Sequence, residues 1–356
     1  MSRNRRDVAI RVFLAVCVPL LVVALALVIL AVTPWGNERV RRFALGQANG
    51  RMQGAITVES VRGNLFRAAT LTNVQVTDSA KRVLFSARHV RVRYAILPAL
   101  RGQLVLRSAT LDTAVLMLEK QPGTRWNFQS LLKPRPPRDT TLHRASPELA
   151  DITIHHGRFL YRRPWIPDST LSPPAREAAI AKVLSPNARR RTERVPGGYQ
   201  RVLDYHDIDA RISSIELATV ARPLAVHIDA LSMLAEPYRP PAIDVRSLVG
   251  TLYGTRDSLW WRGAHMIMPE SRVSGDGTIG FHHSGFRLDL VGAPVAFADL
   301  RWLDPAFVDS GGGHVHYRMR LHGDTAEYAV DSTDVRYGRA TLVGRAAIAR
   351  VKIGDR

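Results

Sequence analysis

Cysteine is almost absent from this sequence. The 356 residues contain a single one, Cys17, so no intrachain disulfide can form. The folded body must therefore be stable without covalent cross-links, even in an oxidising compartment. Cys17 also lies inside an apolar N-terminal run, which argues against a thiol enzyme. Since the sequence lacks Gly-x-Ser-x-Gly, His-Glu-x-x-His and phosphate-loop motifs as well, we predict that the protein is not an enzyme.

Acidic residues are scarce relative to basic ones. The chain has 50 Lys and Arg against 31 Asp and Glu, a formal net charge of +19. Such a surplus favours anionic partners, namely phospholipid headgroups, nucleic acid or acidic glycans. The arginines are spread along the chain, whereas a nucleic-acid-binding protein more often clusters them on one face or helix. We therefore predict no nucleic-acid partner.

Charged residues are also absent from Val12 to Val32, a run of 21 residues. At about 1.5 Å per residue, a helix of this length spans roughly 30 Å, the hydrocarbon thickness of a bilayer. We predict a transmembrane anchor, with Val12, Leu20 and Val32 in the membrane and Trp35 at its surface. The positive-inside rule places the N-terminus in the cytoplasm, because four arginines precede the run: Arg3, Arg5, Arg6 and Arg11.

A cleaved signal peptide is the alternative interpretation of this run. Its apolar region is usually about 7–15 residues long and is followed by a small-x-small cleavage site. The run here is longer, and Ala31-Val32-Thr33 is a poor site. We therefore assign residues 1–36 to a cytoplasmic basic tip and an uncleaved single-pass anchor, and expect the body to lie outside the cytoplasm.

Residues 37–54 are predicted to form a linker with a short amphipathic helix from Asn37 to Gly50. Apolar residues such as Val40 and Phe43 are interspersed with arginines. Such a helix could lie on the membrane surface, or it could cap the domain that follows. The sequence supports both interpretations equally.

The rest of the chain has the two-residue period of β-strands. In the clearest run, Val315, Tyr317 and Met319 alternate with basic residues, which predicts one dry face and one wet face. The phase shifts near Arg88, which indicates a bulge or bend. Many short strands separated by turn residues predict a mainly β, antiparallel body.

Composition divides this body into three parts. We predict a first β segment at 55–133 and a second at 201–356. Between them, residues 134–200 contain a loop, a strand and a basic, Pro-rich insertion, with a short helix from Ala175 to Leu184 after two prolines. No terminal helix covers the last strand-like run, from Ala340 to Ile353. This open edge predicts either a longer chain or a partner strand at that position.

Three short patterns suggest chemistry that their context does not support. Gly275–Gly280 matches a dinucleotide fingerprint, but no helix opens there. His314, His316 and His322 share a strand face, but arginines lie between them and would repel a cation. Asp204, His206, Asp207 and Asp209 could suggest a metal or acid–base site, although exposure on a strand face is the simpler interpretation. We predict no catalytic residues, no metal and no cofactor.

The order of strands and turns resembles the N-terminal region of the AsmA-like and TamB-like proteins of bacterial envelopes. The resemblance covers most of the chain outside 164–199. The motifs are degenerate strand and turn patterns, and their order carries the likeness: Gly63-Asn64-Leu65, Leu71–Asp78, Leu84–Ala87, Val90–Tyr94, Gly102–Leu106, Trp126-Asn127-Phe128, Leu131-Leu132, Val273–Gly277, Asp299-Leu300, Leu303-Asp304-Pro305 and Gly311–Gly313.

This resemblance implies an elongated, curled β-sheet with an apolar groove, tethered in the inner membrane with its body in the periplasm. It also implies phospholipid as a partner, carried toward the outer membrane. The alternative is a scaffold for outer-membrane protein assembly, whose open edge engages an outer-membrane barrel protein or another groove protein. About 18–20 strands at roughly 4.8 Å spacing would reach roughly 90 Å, too little to bridge two membranes alone.

The candidate groove residues are apolar residues that alternate along the predicted strands. The same faces could instead pack on each other as a closed sandwich, which the strand pattern alone does not distinguish from an open groove. The candidates are Val74, Val76, Val90, Val92, Leu116, Leu118, Leu288, Leu290, Tyr317 and Met319.

Overall fold

The structure is a computed structural model, and it describes residues 34–50, 52–64, 67–95, 106–131, 148–216, 222–255, 257–280, 285–323 and 325–351. The predicted transmembrane segment, Val12–Val32, lies outside the described residues. Within the described ranges, no helix combines the length and the apolar character needed to cross a bilayer.

The upstream half of the described chain opens with a helix and continues with strands. Short 3-10 turns occur at Asn127–Ser130 and, further on, at Ala298–Leu300. The elements of this half are α1 (Pro34–Gly50), β1 (Ala55–Arg62), β2 (Ala68–Thr77), β3 (Val83–Tyr94), β4 (Leu106–Asp112), β5 (Val115–Glu119), β6 (Glu148–Trp165), α2 (Pro173–Leu184), β7 (Thr192–Val195) and β8 (Gly198–Glu216).

The downstream half is built of strands joined mostly by short turns, which fits the predicted mainly β body. These strands are β9 (Leu224–Glu236), β10 (Ile243–Val245), β11 (Ser247–Gly254), β12 (Ser258–Ile267), β13 (Arg272–Gly280), β14 (Phe286–Ala296), β15 (Gly312–His322), β16 (Thr325–Tyr337) and β17 (Ala340–Val351).

The seventeen strands of the described residues belong to one sheet. The sheet is only fourteen strands wide, because three pairs of strands lie end to end beside a shared neighbour. These pairs are β4 and β5, β7 and β9, and β10 and β11. At about 4.8 Å per step the sheet extends about 60 Å. The sequence estimate of 18–20 strands and roughly 90 Å was made for the whole chain, and it exceeds what the described residues show.

The sheet is mostly antiparallel, and the mainly β prediction is confirmed. The predicted antiparallel arrangement fails at one place, where β4 and β5 both run parallel to β6. A parallel pair needs a long crossover rather than a tight turn. The 28 residues between Glu119 and Glu148 provide that length.

Helix α1 begins at Pro34, three residues before the predicted start, and it covers the outer edge of β1. The side-chain amide of Asn49 accepts a hydrogen bond from the Ile56 N–H at 2.7 Å and donates to the Ile56 carbonyl at 3.0 Å. Arg41 donates to the Val58 carbonyl at 2.6 Å. These bonds satisfy the backbone groups that an edge strand leaves unpaired. Of the two interpretations of this helix, the contacts support capping.

Glu38 holds this cap in place. Its carboxylate accepts hydrogen bonds from both Arg41 and Arg42 at 2.7–2.8 Å. These bonds lower the pKa of Glu38 to about 2, so the carboxylate stays charged at any ordinary pH. The outward side of α1 carries Trp35 and Phe43, the latter 70% exposed.

The apolar core is concentrated in the upstream part of the sheet. Val58, Val74, Ala87, Val90 and Ala114 form a buried cluster, and Leu45 of α1 packs against it. Ala87 and Val90 are three residues apart and both buried, so the strand phase changes where the sequence indicated, near Arg88.

Residues with left-handed backbone mark two rows of irregularity across the sheet. The upstream row is Asn73, Thr113, His156 and Asp207, each with φ near +50°. The downstream row is Gly250, Gly263 and Gly275, next to register shifts in β11 and β12. Carboxylates bind the freed amides: Asp209 accepts from the His156 N–H and Asp276 from the Gly263 N–H. Bulges bend strands and increase their twist.

An ion pair between a half-exposed arginine and a buried carboxylate joins β6 to β8. Arg158 donates to Asp204, with Nε at 2.9 Å from the carboxylate, and Asp204 is almost fully buried. Burial alone would raise the pKa of Asp204, but hydrogen bonds and charge from Arg158 outweigh it, so the pKa lies below its ordinary value. The stability from this pair is present above the ordinary Asp pKa and lost as the pH falls through the lower folded-state pKa.

We expect Arg158→Met to lower the free energy of unfolding by about 2–3 kcal/mol at neutral pH, because it leaves a buried carboxylate without its partner. Without Arg158, burial should raise the pKa of Asp204, so the deficit should shrink as the pH is lowered toward 4. Urea unfolding across this pH range measures both effects. Arg191→Met, which removes an exposed pair with Glu193, should change stability by less than about 1 kcal/mol. An Arg158→Met deficit independent of pH would contradict this assignment.

Candidate functional site

An apolar face runs across most of the sheet. Directly opposed residues in a ladder share a face, and one such row joins Val90, Leu111, Ile154, Ala210 and Leu231 from β3 to β9. Leu231 reaches the wall of a cavity, so the buried upstream cluster and this cavity lie on the same face. We call it the apolar face.

The cavity on this face has a volume of about 440 Å³ and is lined almost wholly by apolar atoms. Strands β9 and β11 to β14 form its wall. Its main lining side chains are Ile228, Leu231, Leu248, Leu252, Trp261, Met266, Val273, Leu288 and Leu290.

Trp261 lies across the neighbouring strand on this wall. A Cβ atom added at Gly277, its cross-strand partner, would sit 1.9 Å from Cζ2 of the indole. Gly277 thus provides the space that lets a large aromatic ring lie flat against the sheet. Gly277, which lies within the dinucleotide-like pattern Gly275–Gly280, therefore has a packing role. The pattern belongs to the strand Arg272–Gly280, as the sequence context indicated.

Downstream of the cavity the apolar face continues to the last strand. Leu288 opposes Met319, which opposes Tyr328, which opposes Ile348. A parallel row joins Leu290 to Tyr317. Exposure rises along this direction: Val74 and Val90 are 9% and 8% exposed, whereas Ile348 is 67% exposed. The face is therefore packed closed around Val74 and Val90 and is exposed toward the last strand.

All ten candidate groove residues lie on the apolar face, in two different environments. Val74, Val90 and Val92 belong to or pack against the buried cluster, and Val76 opposes Phe85 beside it. Leu116 and Leu118 follow on β5, in one row with Phe159 and Tyr161. Leu288 and Leu290 line the cavity, with Met319 and Tyr317 as their neighbours.

The opposite face carries paired charges. His316 lies 2.9 Å from Asp289, and Arg318 binds Asp331. Hydrogen bonds from Arg318 lower the pKa of Asp331. Within the basic face of β15, His316 and Arg318 thus have carboxylate partners on neighbouring strands, whereas His314 contacts the Ser332 hydroxyl.

The acidic residues that could have suggested a reactive site are engaged in structural contacts. Asp204 binds Arg158, Asp209 lies 3.6 Å from His155, and Asp207 lies 3.0 Å from His206. In the part of the chain that the structure describes, no group of three or more His, Cys, Asp or Glu side chains is placed to hold a metal ion.

A second cavity, which the sequence reasoning missed, lies where α2, β7 and β8 meet. It measures about 430 Å³ and is lined by Lys182, Val183, Ala188, Arg189, Arg190, Thr192, Arg201, Tyr238 and Leu303. The basic run at 189–191 was visible in the sequence. Its convergence with Arg201 depends on the pairing of β7 with β8, which no local pattern reveals.

Comparison with protein-family models, with curated proteins and with solved structures finds no match to this chain. The resemblance to AsmA-like and TamB-like proteins therefore remains a prediction from the sequence.

We expect Gly277→Val to lower the free energy of unfolding by about 1–3 kcal/mol, because the new side chain would overlap the Trp261 indole. Trp261→Leu should relieve much of that loss, giving a favourable coupling energy in a double-mutant cycle measured by thermal unfolding. Gly344→Val is a matched control, since an added Cβ there meets no atom within 4 Å. Equal losses at 277 and 344 would contradict the packing role of Gly277.

Proposed function

We propose that this chain is an AsmA/TamB-like protein of the bacterial inner membrane that handles phospholipid in its periplasmic body, for transport toward the outer membrane. The observation that carries this proposal is the continuous apolar face with a cavity of about 440 Å³. Monomeric proteins rarely expose contiguous apolar surface of this kind without a ligand or partner for it.

The energetics of lipid transfer explain why such a face is useful. Each acyl CH₂ moved from a bilayer into water costs about 0.8 kcal/mol, so a chain of around fifteen carbons meets a barrier of order 12 kcal/mol. A dry face keeps the acyl chains out of water and requires no specific chemistry. Leu288 and Leu290 offer such contacts while remaining open to a ligand.

A curled sheet would turn this face into a trough, by which we mean the apolar face bounded by the ends of the strands. The two rows of irregular residues support a bend along the sheet. The segment 297–311, which follows β14, also reaches back to the residues that precede β7 and follow β9. There the Trp302 ring stacks on Tyr238, and the Trp302 carbonyl accepts a hydrogen bond from Arg189.

Helix α1 has a surface suited to the membrane next to the predicted anchor. Trp35 and Phe43 are exposed on its outer side, and Arg39 stacks over the Trp35 ring at 4.7 Å. Aromatic rings and cationic side chains together favour the headgroup region. In this proposal α1 caps the sheet edge with one side and meets the inner membrane with the other.

We expect phospholipid to co-purify with the full-length protein and to be largely lost from Leu288→Asp, because a charge in the trough disfavours acyl chains. Ile267→Asp is the matched control: Leu and Ile are isomers, and Ile267 lies next to Met266 on β12, facing away from the cavity. Lipid extraction and mass spectrometry, with unfolding measured in parallel, gives the comparison. Equal lipid content in both well-folded variants would contradict the proposal.

A second candidate function is a scaffold for outer-membrane protein assembly. Among the described residues, β17 pairs only with β16, and its residues from Ala340 to Arg350 are all exposed. An unpaired edge of this length can add a strand from a partner. This function uses the edge of the sheet, whereas lipid handling uses its face.

Photo-crosslinking in cells separates the two functions. A photoreactive amino acid at Leu252, in the trough, should form lipid adducts if the chain handles phospholipid. The same group at Val343 on β17 should form adducts with one defined protein if the edge engages a partner strand. Protein adducts from 343 without lipid adducts from 252 would favour the scaffold.

A further inference from the structure

The cavity between α2, β7 and β8 concentrates positive charge, and none of its lining residues is acidic. Four of its lining residues are cationic: Lys182, Arg189, Arg190 and Arg201. Among the described residues none of the four forms an ion pair, although Arg158 and Arg191 nearby each bind a carboxylate. We call this cavity the cationic pocket.

Two buried polar atoms in the cationic pocket have no hydrogen-bond partner in the described structure. They are Thr192 Oγ1 and Arg201 Nε, and Thr192 is only 6% exposed. A buried polar group without a partner is costly, so native structures seldom contain one without a reason. Thr192 and Arg201 oppose each other in the ladder, so both belong to the same wall.

Aromatic rings hold the guanidinium groups in place. Arg189 stacks over Tyr238 at 4.9 Å and Arg190 lies 5.6 Å from the same ring. The carbonyl of Trp302 binds Arg189, and Arg201 lies 6.0 Å from the Trp165 ring. Burial lowers the pKa of Arg201, and the neighbouring charges of Arg190 and Arg163 lower it further. The pocket therefore contains fixed, mutually repelling cations.

The cationic pocket and the apolar face lie on the same side of the sheet. Residues 201, 203 and 205 of β8 alternate regularly, with cross-strand partners Arg163, Tyr161 and Phe159 on β6. Tyr205 stacks on Phe159 at 5.6 Å, in the row that contains Leu116. Arg201 is thus four residues, about 13 Å, from the aromatic part of the apolar face.

We infer that the cationic pocket binds a phosphate group, and that its ligand is the headgroup of a phospholipid whose chains lie on the apolar face. Phosphate oxygens accept the forked hydrogen bonds that guanidinium groups donate, and a phosphate oxygen can also accept from the Thr192 hydroxyl. A volume of about 430 Å³ leaves room for the group esterified to the phosphate. The headgroup assignment rests on the proposed lipid function, while phosphate binding itself does not.

The test uses the full chain in a non-ionic detergent and two soluble probes. Dihexanoyl-phosphatidylglycerol carries both headgroup and chains, and glycerophosphoglycerol is the same headgroup without chains. We expect both to bind in calorimetric titrations, the lipid more tightly. Arg189→Gln combined with Arg201→Gln should weaken both by tenfold or more. Arg211→Gln is the control, because Arg211 is an exposed arginine on β8 and its substitution also removes one positive charge. This variant should leave binding unchanged.

Thr192→Val distinguishes a ligand-binding role from a structural one. Because the hydroxyl has no partner in the free protein, this variant should keep or raise the melting temperature while weakening glycerophosphoglycerol binding several-fold. A loss of melting temperature with unchanged binding would overturn the assignment of Thr192 to the ligand.

The outcomes separate this inference from the proposed function. Unchanged probe binding in the Arg189→Gln, Arg201→Gln double variant overturns the pocket, even if Leu288→Asp still abolishes lipid co-purification. A different result would overturn only the headgroup assignment. In it, the pocket binds glycerophosphoglycerol, the dihexanoyl lipid binds no more tightly, and Leu288→Asp does not change lipid co-purification. This result would indicate a soluble phosphate ligand.

Discussion

Register in the β-ladder is the constraint on which the rest of this structure depends. Because the side-chain period of a strand is two, a slip of one residue would exchange the two faces of a strand. Cross-strand partners keep apolar residues on one face from Val90 to Ile348, over most of the sheet. Where strands bulge, they do so beside one another, so the faces stay in phase on both sides of the irregularity.

The same face has different roles along the chain. Upstream, α1 covers the first edge and adds Leu45 to a cluster that closes the face as an ordinary core. Downstream no described element packs over Leu288 or Met319, and a cavity remains. The choice between open groove and closed core, which the strand pattern left undecided, therefore has a regional answer. The buried end supplies stability, and in the proposed function the open end is the surface that binds the lipid.

Charge is distributed to match this arrangement. On the opposite face of the sheet, His316 and Arg318 have carboxylate partners. In the cationic pocket the arginines have aromatic neighbours and no carboxylates. An amphiphile with an anionic head and apolar chains has the complementary distribution. This complementarity connects the composition, +19 overall, to a particular place in the fold.

Local patterns in the sequence predicted what is locally determined. The β class, the phase change near Arg88 and the helix predicted from Ala175 to Leu184 follow from residue type and spacing; the observed helix begins two residues earlier, at Pro173. The parallel pairing of β6 and the convergence of Lys182, Arg201 and Tyr238 were not predictable, because they depend on which distant strands meet. The start of α1 was missed by three residues, although Thr33 and Pro34 are residue types typical of a helix N-cap and first helical position. Both had been assigned to the end of the anchor segment.

The central claim is that the apolar face is open to acyl chains downstream and closed upstream. The most direct measurement is power-saturation electron paramagnetic resonance with a nitroxide at position 290 or at position 74, in full-length protein whose single cysteine is replaced by Cys17→Ala. An open trough filled with lipid predicts, at 290, high accessibility to oxygen and low accessibility to a nickel chelate. At 74, accessibility to both should be low. If position 290 were as inaccessible to oxygen as position 74, the face would be a closed core and the claim would be contradicted.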